Sequence, residues 1–92
     1  MFNRQGARII ESDEEFAVER LGKTGIRYYE HDHIMEVQAE IAKDGVDLWR
    51  RSLCTWLPPY EVETIDDAKR DAIITNIRRA LESEGDQLFV IG

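Results

Sequence analysis

The stretch that decides the fold is Ile34–Ala42, which reads IMEVQAEIA. Apolar and polar residues alternate along it, and this period of two is typical of a strand with one buried face and one exposed face. Lys43, Asp44 and Gly45 follow, and an Asp-Gly pair after an alternating run is a strong hairpin signal. The stretch therefore predicts a half-buried strand that turns back into a neighbouring strand.

The flanking segments extend this hairpin into a three-stranded antiparallel meander. Ile26–Glu30 is rich in residues that favour strands, and it is separated from the decisive stretch by a polar turn at 31–33. Residues 46–56 form the returning strand, with a bulge or twist predicted at Arg50 and Arg51, where the alternation slips. The prolines at 58 and 59 end the sheet, because proline has no N–H to donate to the ladder.

A long helix is predicted from Ile65 to Glu84, with Thr64 as its N-cap and Gly85 closing it. Ile73, Ile77 and Leu81 recur every four residues and form an apolar stripe that should pack on the sheet. A short apolar strand follows at 87–91. The predicted fold class is α+β, with a central three-stranded meander, terminal strands and the long helix on one face of the antiparallel sheet.

The N-terminal part of the chain fits two structures. Residues 7–11 predict a short strand, and residues 1–6 are expected to be loosely held. For residues 12–21, Ser12 and Glu15 match a capping box, which slightly favours a short N-terminal helix closed by Gly22. The alternative is a hairpin that turns at 12–14 and returns along Phe16–Val18.

Length and composition bound the class of protein. The chain of 92 residues suits one domain, 1–92, and its apolar fraction of 42% and charged fraction of 34% are typical of globular proteins. The N-terminus lacks the pattern of a signal peptide, which leads us to expect a cytoplasmic protein. The single cysteine, Cys54, has no disulfide partner within the chain and is predicted to be a buried thiol.

The formal net charge of −7 limits the choice of partner. It argues against a nucleic acid or an anionic membrane, since both attract positive surfaces. It is compatible with a basic protein partner, because opposite charges speed encounter. Many acidic proteins are charged for solubility alone, so that interpretation stays open.

No catalytic motif is present in the sequence, so no enzyme activity and no cofactor are predicted. His31 and His33 alternate and would share one face of a continuous strand, where two imidazoles are able to bind a metal. Two histidines do not complete a zinc site, which usually needs three or four protein ligands. A solvated turn is therefore the favoured interpretation, and a metal site is the alternative.

The candidate partner-binding residues are Glu36, Gln38, Glu40, Trp49 and Arg50. The first three form the polar face of one strand and would meet basic groups on a partner. Trp49 and Arg50 belong to the two residue types that are most enriched in binding hot spots. A plain solvated face and an ordinary packed tryptophan are the alternatives, and Trp56 is predicted to be the core tryptophan.

From residue 25 to residue 91 the chain resembles a family of immunity proteins from bacterial polymorphic toxin systems, the group numbered seventy-four. The resemblance rests on short motifs in the predicted strands and in the late helix: Ile26-x-Tyr28-x-Glu30, Val37-x-x-Glu40, Ser52-Leu53, Trp56-x-Pro58, and Ile73, Ile77 and Leu81 before Gly85. It implies a small cytoplasmic α+β protein that binds a cognate protein toxin and blocks it. A self-associating domain, such as a homodimer formed through the last strand or near Trp49, is the alternative.

Overall fold

The computed structural model describes the backbone of residues 2–5, 9–12, 15–22 and 24–92, and side chains within 9–10, 15–22 and 24–92. The elements of this part of the chain are seven strands, one α-helix and a short 3-10 turn: β1 (Phe2–Gln5), β2 (Ile9–Ser12), β3 (Phe16–Arg20), β4 (Gly25–Glu30), β5 (His33–Ala42), β6 (Gly45–Trp49), the 3-10 turn (Arg50–Ser52), α1 (Asp67–Ser83) and β7 (Leu88–Ile91).

The seven strands form one sheet in the order of the sequence, from β1 to β7. Every neighbouring pair is antiparallel except β6 and β7, which run parallel with α1 in the connection between them. The predicted meander is β4, β5 and β6, and the Asp-Gly turn joins its last two strands with Ala42 opposite Gly45. The α+β class is confirmed, and the parallel final pair is a feature that the sequence analysis did not predict.

Helix α1 lies close to its predicted position. It begins at Asp67 rather than Ile65 because Asp66, not Thr64, is the N-cap, and the Asp66 carboxylate accepts a 2.8 Å hydrogen bond from the Lys69 amide. It ends one residue earlier than predicted, with Gly85 in the left-handed conformation just beyond it. The helix buries one stripe against the sheet, made of Ile73, Ile74, Ile77, Ala80 and Leu81.

The favoured prediction of a short N-terminal helix is wrong. Residues 9–12 and 16–20 form the hairpin of β2 and β3, with Ile10 opposite Val18. Ile10, Phe16 and Val18 are buried on the side of the sheet that α1 covers. An isolated short helix gains little, whereas these residues gain both strand pairing with β4 and burial, so the tertiary contacts decide the structure. The turn predicted at 12–14 is not tested, because residues 13 and 14 lie outside the described residues.

Other residues near the N-terminus are only partly described. The backbone of Phe2–Gln5 pairs with β2, while residues 1 and 6 lie outside the described part of the chain. The looseness expected for residues 1–6 stays a prediction. The prediction of a single domain, 1–92, also stays a prediction, although one buried cluster joins the sheet to α1 across the described residues.

The returning strand of the meander is shorter than predicted. It ends at Trp49, and the 3-10 turn replaces the continuation towards Trp56. The Ser52 hydroxyl donates to the Trp49 carbonyl at 2.6 Å and accepts from the Gln38 amide at 2.9 Å. This side chain thus takes over a hydrogen bond of β5 that a longer β6 would have formed, and the chain leaves the sheet.

Two side-chain predictions beyond β6 have opposite outcomes. Trp56 is 4% exposed and stacks on Tyr28 with ring centroids 6.3 Å apart, so its position in the core is confirmed. Cys54 is exposed, and the prediction of a buried thiol is wrong. The error follows from the early end of β6, because residues 53–57 are irregular and their side chains do not alternate as in a strand.

Candidate functional site

The sheet has one face covered by α1 and one face that the described residues leave uncovered. The alternation along β5 makes this clear, because Met35, Val37 and Ala39 are buried while Glu36, Gln38 and Glu40 are exposed. The pairing register extends the uncovered surface across the neighbouring strands. We call it the open face, and its residues in β3 to β7 are Ala17, Glu19, Arg27, Tyr29, Ile34, Glu36, Gln38, Glu40, Asp47, Trp49, Phe89 and Ile91.

In the half of the open face formed by β3, β4 and the start of β5, the charged groups are paired with one another. Arg27 is paired with Glu36 at 2.6 Å and lies 3.8 Å from Glu19, and Tyr29 donates a 2.5 Å hydrogen bond to Glu19. The hydrogen bond to Glu36 is the main reason that the pKa of Arg27 is raised above its usual value. The charged groups here already have partners within the chain, so this half would gain little from ion pairs with a partner protein.

The other half of the open face, formed by β5, β6 and β7, is different. Glu40 and Asp47 are direct cross-strand partners, and among the described residues neither has an ion-pair partner. On β7, Phe89 is the register partner of Asp47, and its side chain is 49% exposed. The next register pair on the open face is Trp49 with Ile91. A groove of about 370 Å³ adjoins Glu40 and Trp49, and it is lined by Thr24, Gln38, Ala39, Glu40, Ile41 and Trp49.

Four of the five predicted partner-binding residues lie on the open face, and one does not. Glu36, Gln38 and Glu40 follow one another along β5, and Trp49 stands half-buried on β6. Arg50 begins the 3-10 turn and points towards α1, where its guanidinium lies 2.8 Å from Asp71 and 3.8 Å from Asp67. The early end of β6 therefore separates Arg50 from the other four residues.

The sequence analysis missed Asp47, Phe89 and Ile91. Asp47 alternates with buried Val46 and Leu48, so its position on the open face was detectable from the pattern. The two residues of β7 were not, because their place beside β6 depends on a long-range parallel pairing.

The two histidines do not converge on a common point. His31, in the left-handed conformation between β4 and β5, lies 3.1 Å from a Glu15 carboxylate oxygen. His33 lies 3.1 Å from Asp32 and 2.9 Å from Glu63. Within the described residues no group of three or more histidine, cysteine or acidic side chains is arranged to hold a metal ion.

His33 lies in a cleft of about 560 Å³ between the β4–β5 turn and the start of α1. The cleft is lined by Glu30, His31, Asp32, His33, Trp56, Glu63, Thr64, Asp66 and Lys69. The His33 ring stacks on Tyr60 with centroids 3.7 Å apart, and its pKa is raised, chiefly by the hydrogen bond to Glu63. Tyr60 in turn is hydrogen-bonded to Asp32.

The back of the cleft is a second closed network. Glu30 is paired with Lys69 and accepts a 2.7 Å hydrogen bond from Tyr28. Burial raises the pKa of Glu30, but the hydrogen bonds from Lys69 and Tyr28 outweigh it, and the net pKa is lowered. Glu30 and His33, the polar groups at the centre of the cleft, already have partners within the chain, whereas Glu40 and Asp47 on the open face have none among the described residues.

A comparison with protein families identifies the chain. The family model described as Immunity protein 74 matches residues 20–91, from the last residue of β3 to the last residue of β7. The chain belongs to the Immunity protein 74 family. The matched range includes α1, β4 to β7 and the whole half of the open face formed by β5 to β7, which we call the uncompensated half because Glu40 and Asp47 have no ion-pair partner among the described residues.

Membership of the Immunity protein 74 family implies that the partner is a cognate toxin protein. The resemblance noted in the sequence motifs is thereby confirmed. No curated protein and no solved structure gives a match to the chain. In the described part of the chain, α1 is neither long enough nor apolar enough to cross a membrane.

Proposed function

We propose that this protein neutralises one cognate toxin of a polymorphic toxin system by binding it directly and covering its active or receptor-binding surface. The observation that carries the proposal is the family match over residues 20–91. Its function is binding rather than catalysis, it needs no cofactor, and it acts in the cytoplasm.

The open face is the proposed toxin-binding surface, with Glu36, Gln38, Glu40 and Trp49 as contacts and Arg50 at its margin. The molecule measures 34 by 28 Å in its two longer dimensions. A face of that size is comparable with the ~800 Å² that each partner buries in a standard stable interface. Binding across it would exclude substrate from the toxin without any moving part in the immunity protein.

The charge of the chain supports a basic toxin as partner. A net charge of −7 speeds encounter with a positive surface and disfavours binding to nucleic acids and anionic membranes. A toxin that acts on nucleic acid would itself carry a basic surface, which an acidic protein is suited to cover.

Co-expression tests the proposal. The product of the neighbouring gene, as the candidate toxin, is expressed in bacterial cytoplasm alone, with this protein, or with an unrelated acidic protein of similar size as a control. We expect growth to stop in the first and third cultures and to recover in the second, with the two proteins eluting as one complex. A harmless toxin domain, or no complex between the two proteins, would contradict the proposal.

Self-association is the second candidate function, and the position of β7 favours it. β7 is the last strand of the sheet, and Phe89 and Ile91 on it are 49% and 40% exposed. An apolar edge strand of this kind is able to pair with a second copy. Sedimentation at high concentration decides the question, because a dimer is expected from this function and a monomer contradicts it.

A further inference from the structure

The uncompensated half of the open face contains an arrangement that is unfavourable in the free protein. Glu40 and Asp47 face each other across β5 and β6, and like charges directly opposite in a sheet destabilise it. Neither carboxylate has a cationic partner among the described residues, although the same face neutralises Glu36 with Arg27. The pair is therefore a local concentration of negative charge that a cation from outside the chain would relieve.

Apolar side chains stand directly beside this acidic pair. Phe89 is the register partner of Asp47, and Ile91 is the register partner of Trp49. The Phe89 ring lies close to Gly45, since a Cβ atom added to Gly45 would lie 2.9 Å from the Phe89 Cε2 atom. A rigid aromatic ring that remains half exposed costs little entropy to bury in an interface.

The groove of about 370 Å³ adjoins this surface at Glu40 and Trp49, which are two of its lining residues. We name the set of Glu40, Asp47, Trp49, Phe89 and Ile91 the β5–β7 corner. It combines two carboxylates with aromatic and aliphatic surface, and it therefore selects for a ligand that is cationic at its tip and apolar around it.

We propose that the β5–β7 corner is the docking site for an arginine side chain of the toxin, surrounded by apolar residues of the same toxin surface. This inference rests on the proposed function and adds the chemistry of the contact. The planar guanidinium has five donors, enough to bond carboxylates on two different strands, and it stacks on aromatic rings. A lysine ammonium offers neither the fork nor the flat surface.

A second copy of this chain suits the corner less well. Two copies meeting corner to corner would bring their acidic pairs together, and each copy carries a net charge of −7. Charge complementarity therefore favours a basic partner over self-association at this site.

Affinity measurements with the purified candidate toxin, the product of the neighbouring gene, test the inference. Three variants of the full chain alter the corner: Glu40→Gln, Asp47→Asn and Phe89→Ser. Two matched controls remove the same kind of side chain elsewhere, Glu82→Gln at the end of α1 and Val62→Ser in the exposed 60–63 loop, where Val62 is 85% exposed.

We expect each corner variant to weaken binding by about tenfold or more, and each control to stay within about twofold. The losses for Glu40→Gln and Asp47→Asn should shrink as salt is raised, because they are electrostatic, whereas the loss for Phe89→Ser should persist. Normal affinity of all three corner variants, with tight binding by the wild type, would overturn the inference and leave the proposed function standing.

Two other outcomes also decide the inference. If the wild type neither binds nor neutralises the toxin domain, both the inference and the proposed function fail. If the wild type sediments as a dimer that Phe89→Ser converts to a monomer, the corner is an interface between copies, and the arginine site is wrong.

A measurement without toxin tests the premise. Removal of either charge of the acidic pair should raise the Tm of the free protein, because the repulsion between Glu40 and Asp47 is relieved. The Glu82→Gln control should leave the Tm unchanged. A lower Tm in Glu40→Gln or Asp47→Asn would show that the carboxylate is already stabilised within the chain and would overturn the premise.

Discussion

The Tyr28 hydroxyl on β4 accepts a 2.8 Å hydrogen bond from the Asn76 amide on α1 and donates one of 2.7 Å to Glu30. Tyr28 is fully buried, and burial is the main reason that its pKa is raised far above the usual value. The phenol therefore stays neutral and links the helix to the sheet on the covered side. The link fixes α1 on one face and so leaves the other face free.

Removal of this link should destabilise the fold. Tyr28→Phe keeps the ring but leaves the Asn76 amide and one Glu30 oxygen without their partner, which should cost about 1–2 kcal/mol of unfolding free energy. Urea denaturation measures the loss. Tyr29→Phe is the control, since its hydroxyl bonds Glu19 on the open face and its loss should be smaller. Equal losses for the two variants would contradict the role assigned to Tyr28.

Gly45 is required by both its backbone and its neighbours. Its φ is +155°, and an added Cβ would lie 2.7 Å from the carbonyl oxygen of Gln87, just before β7. Gly45→Ala should therefore destabilise the protein by about 2 kcal/mol or more, from backbone strain together with the clash.

Gly22→Ala is the matched control for this prediction. Gly22 also has a positive φ, +63°, but an added Cβ would meet nothing within 4 Å. Gly22→Ala should therefore lower the unfolding free energy only through backbone strain, by about 1 kcal/mol. Similar unfolding free energies for the two alanine variants would show that the approach of Gln87 and Phe89 to Gly45 is not constraining.

The raised pKa of His33 has a consequence for stability. Because the folded pKa lies above the unfolded one, His33 contributes its full stabilisation just below the unfolded pKa, where Glu63 is still ionised, and this contribution is lost as pH rises through the folded pKa. Glu63→Gln should lower the His33 pKa in an NMR titration and flatten this part of the pH dependence. Glu61→Gln, a neighbouring exposed acid, is the control, and an unchanged His33 pKa in Glu63→Gln would contradict the assignment.

Cys54 should react with a thiol reagent while the protein is folded. The residue is exposed on the irregular segment after the 3-10 turn, so no unfolding is needed for access. Labelling with an aromatic disulfide, followed by absorbance, should be as fast under native conditions as in denaturant, within about an order of magnitude. Labelling that appears only in denaturant would place the thiol in the core.

The elements that the sequence predicted correctly are those with long, regular patterns. The alternation in 34–42 and the four-residue repeat from Ile73 to Leu81 each predict one buried face, and the structure buries both faces. The N-terminal hairpin was missed because acidic residues around Ser12 suit a helix start and a turn equally well. The early end of β6 depends on Ser52, whose hydroxyl accepts a hydrogen bond from the Gln38 amide and donates one to the Trp49 carbonyl. No local sequence pattern predicts these two hydrogen bonds.

The candidate site was predictable only where it lies within one hairpin. Glu36, Gln38, Glu40 and Trp49 come from β5 and β6, and their shared face follows from the alternation and the Asp-Gly turn. Phe89 and Ile91 join them through the parallel pairing of β6 with β7, which α1 makes possible by returning the chain to the edge of the sheet. Contacts of such large sequence separation leave no mark in a local pattern.

The measurement that tests the central claim most directly is amide chemical-shift mapping of the labelled protein on addition of the candidate toxin, the product of the neighbouring gene. The account predicts that the largest changes fall on residues 36–40, 45–49 and 88–91, with α1 and the cleft around His33 little affected. Changes centred on α1 or on the His33 cleft, with β5 to β7 unchanged, would contradict the open face as the toxin-binding surface.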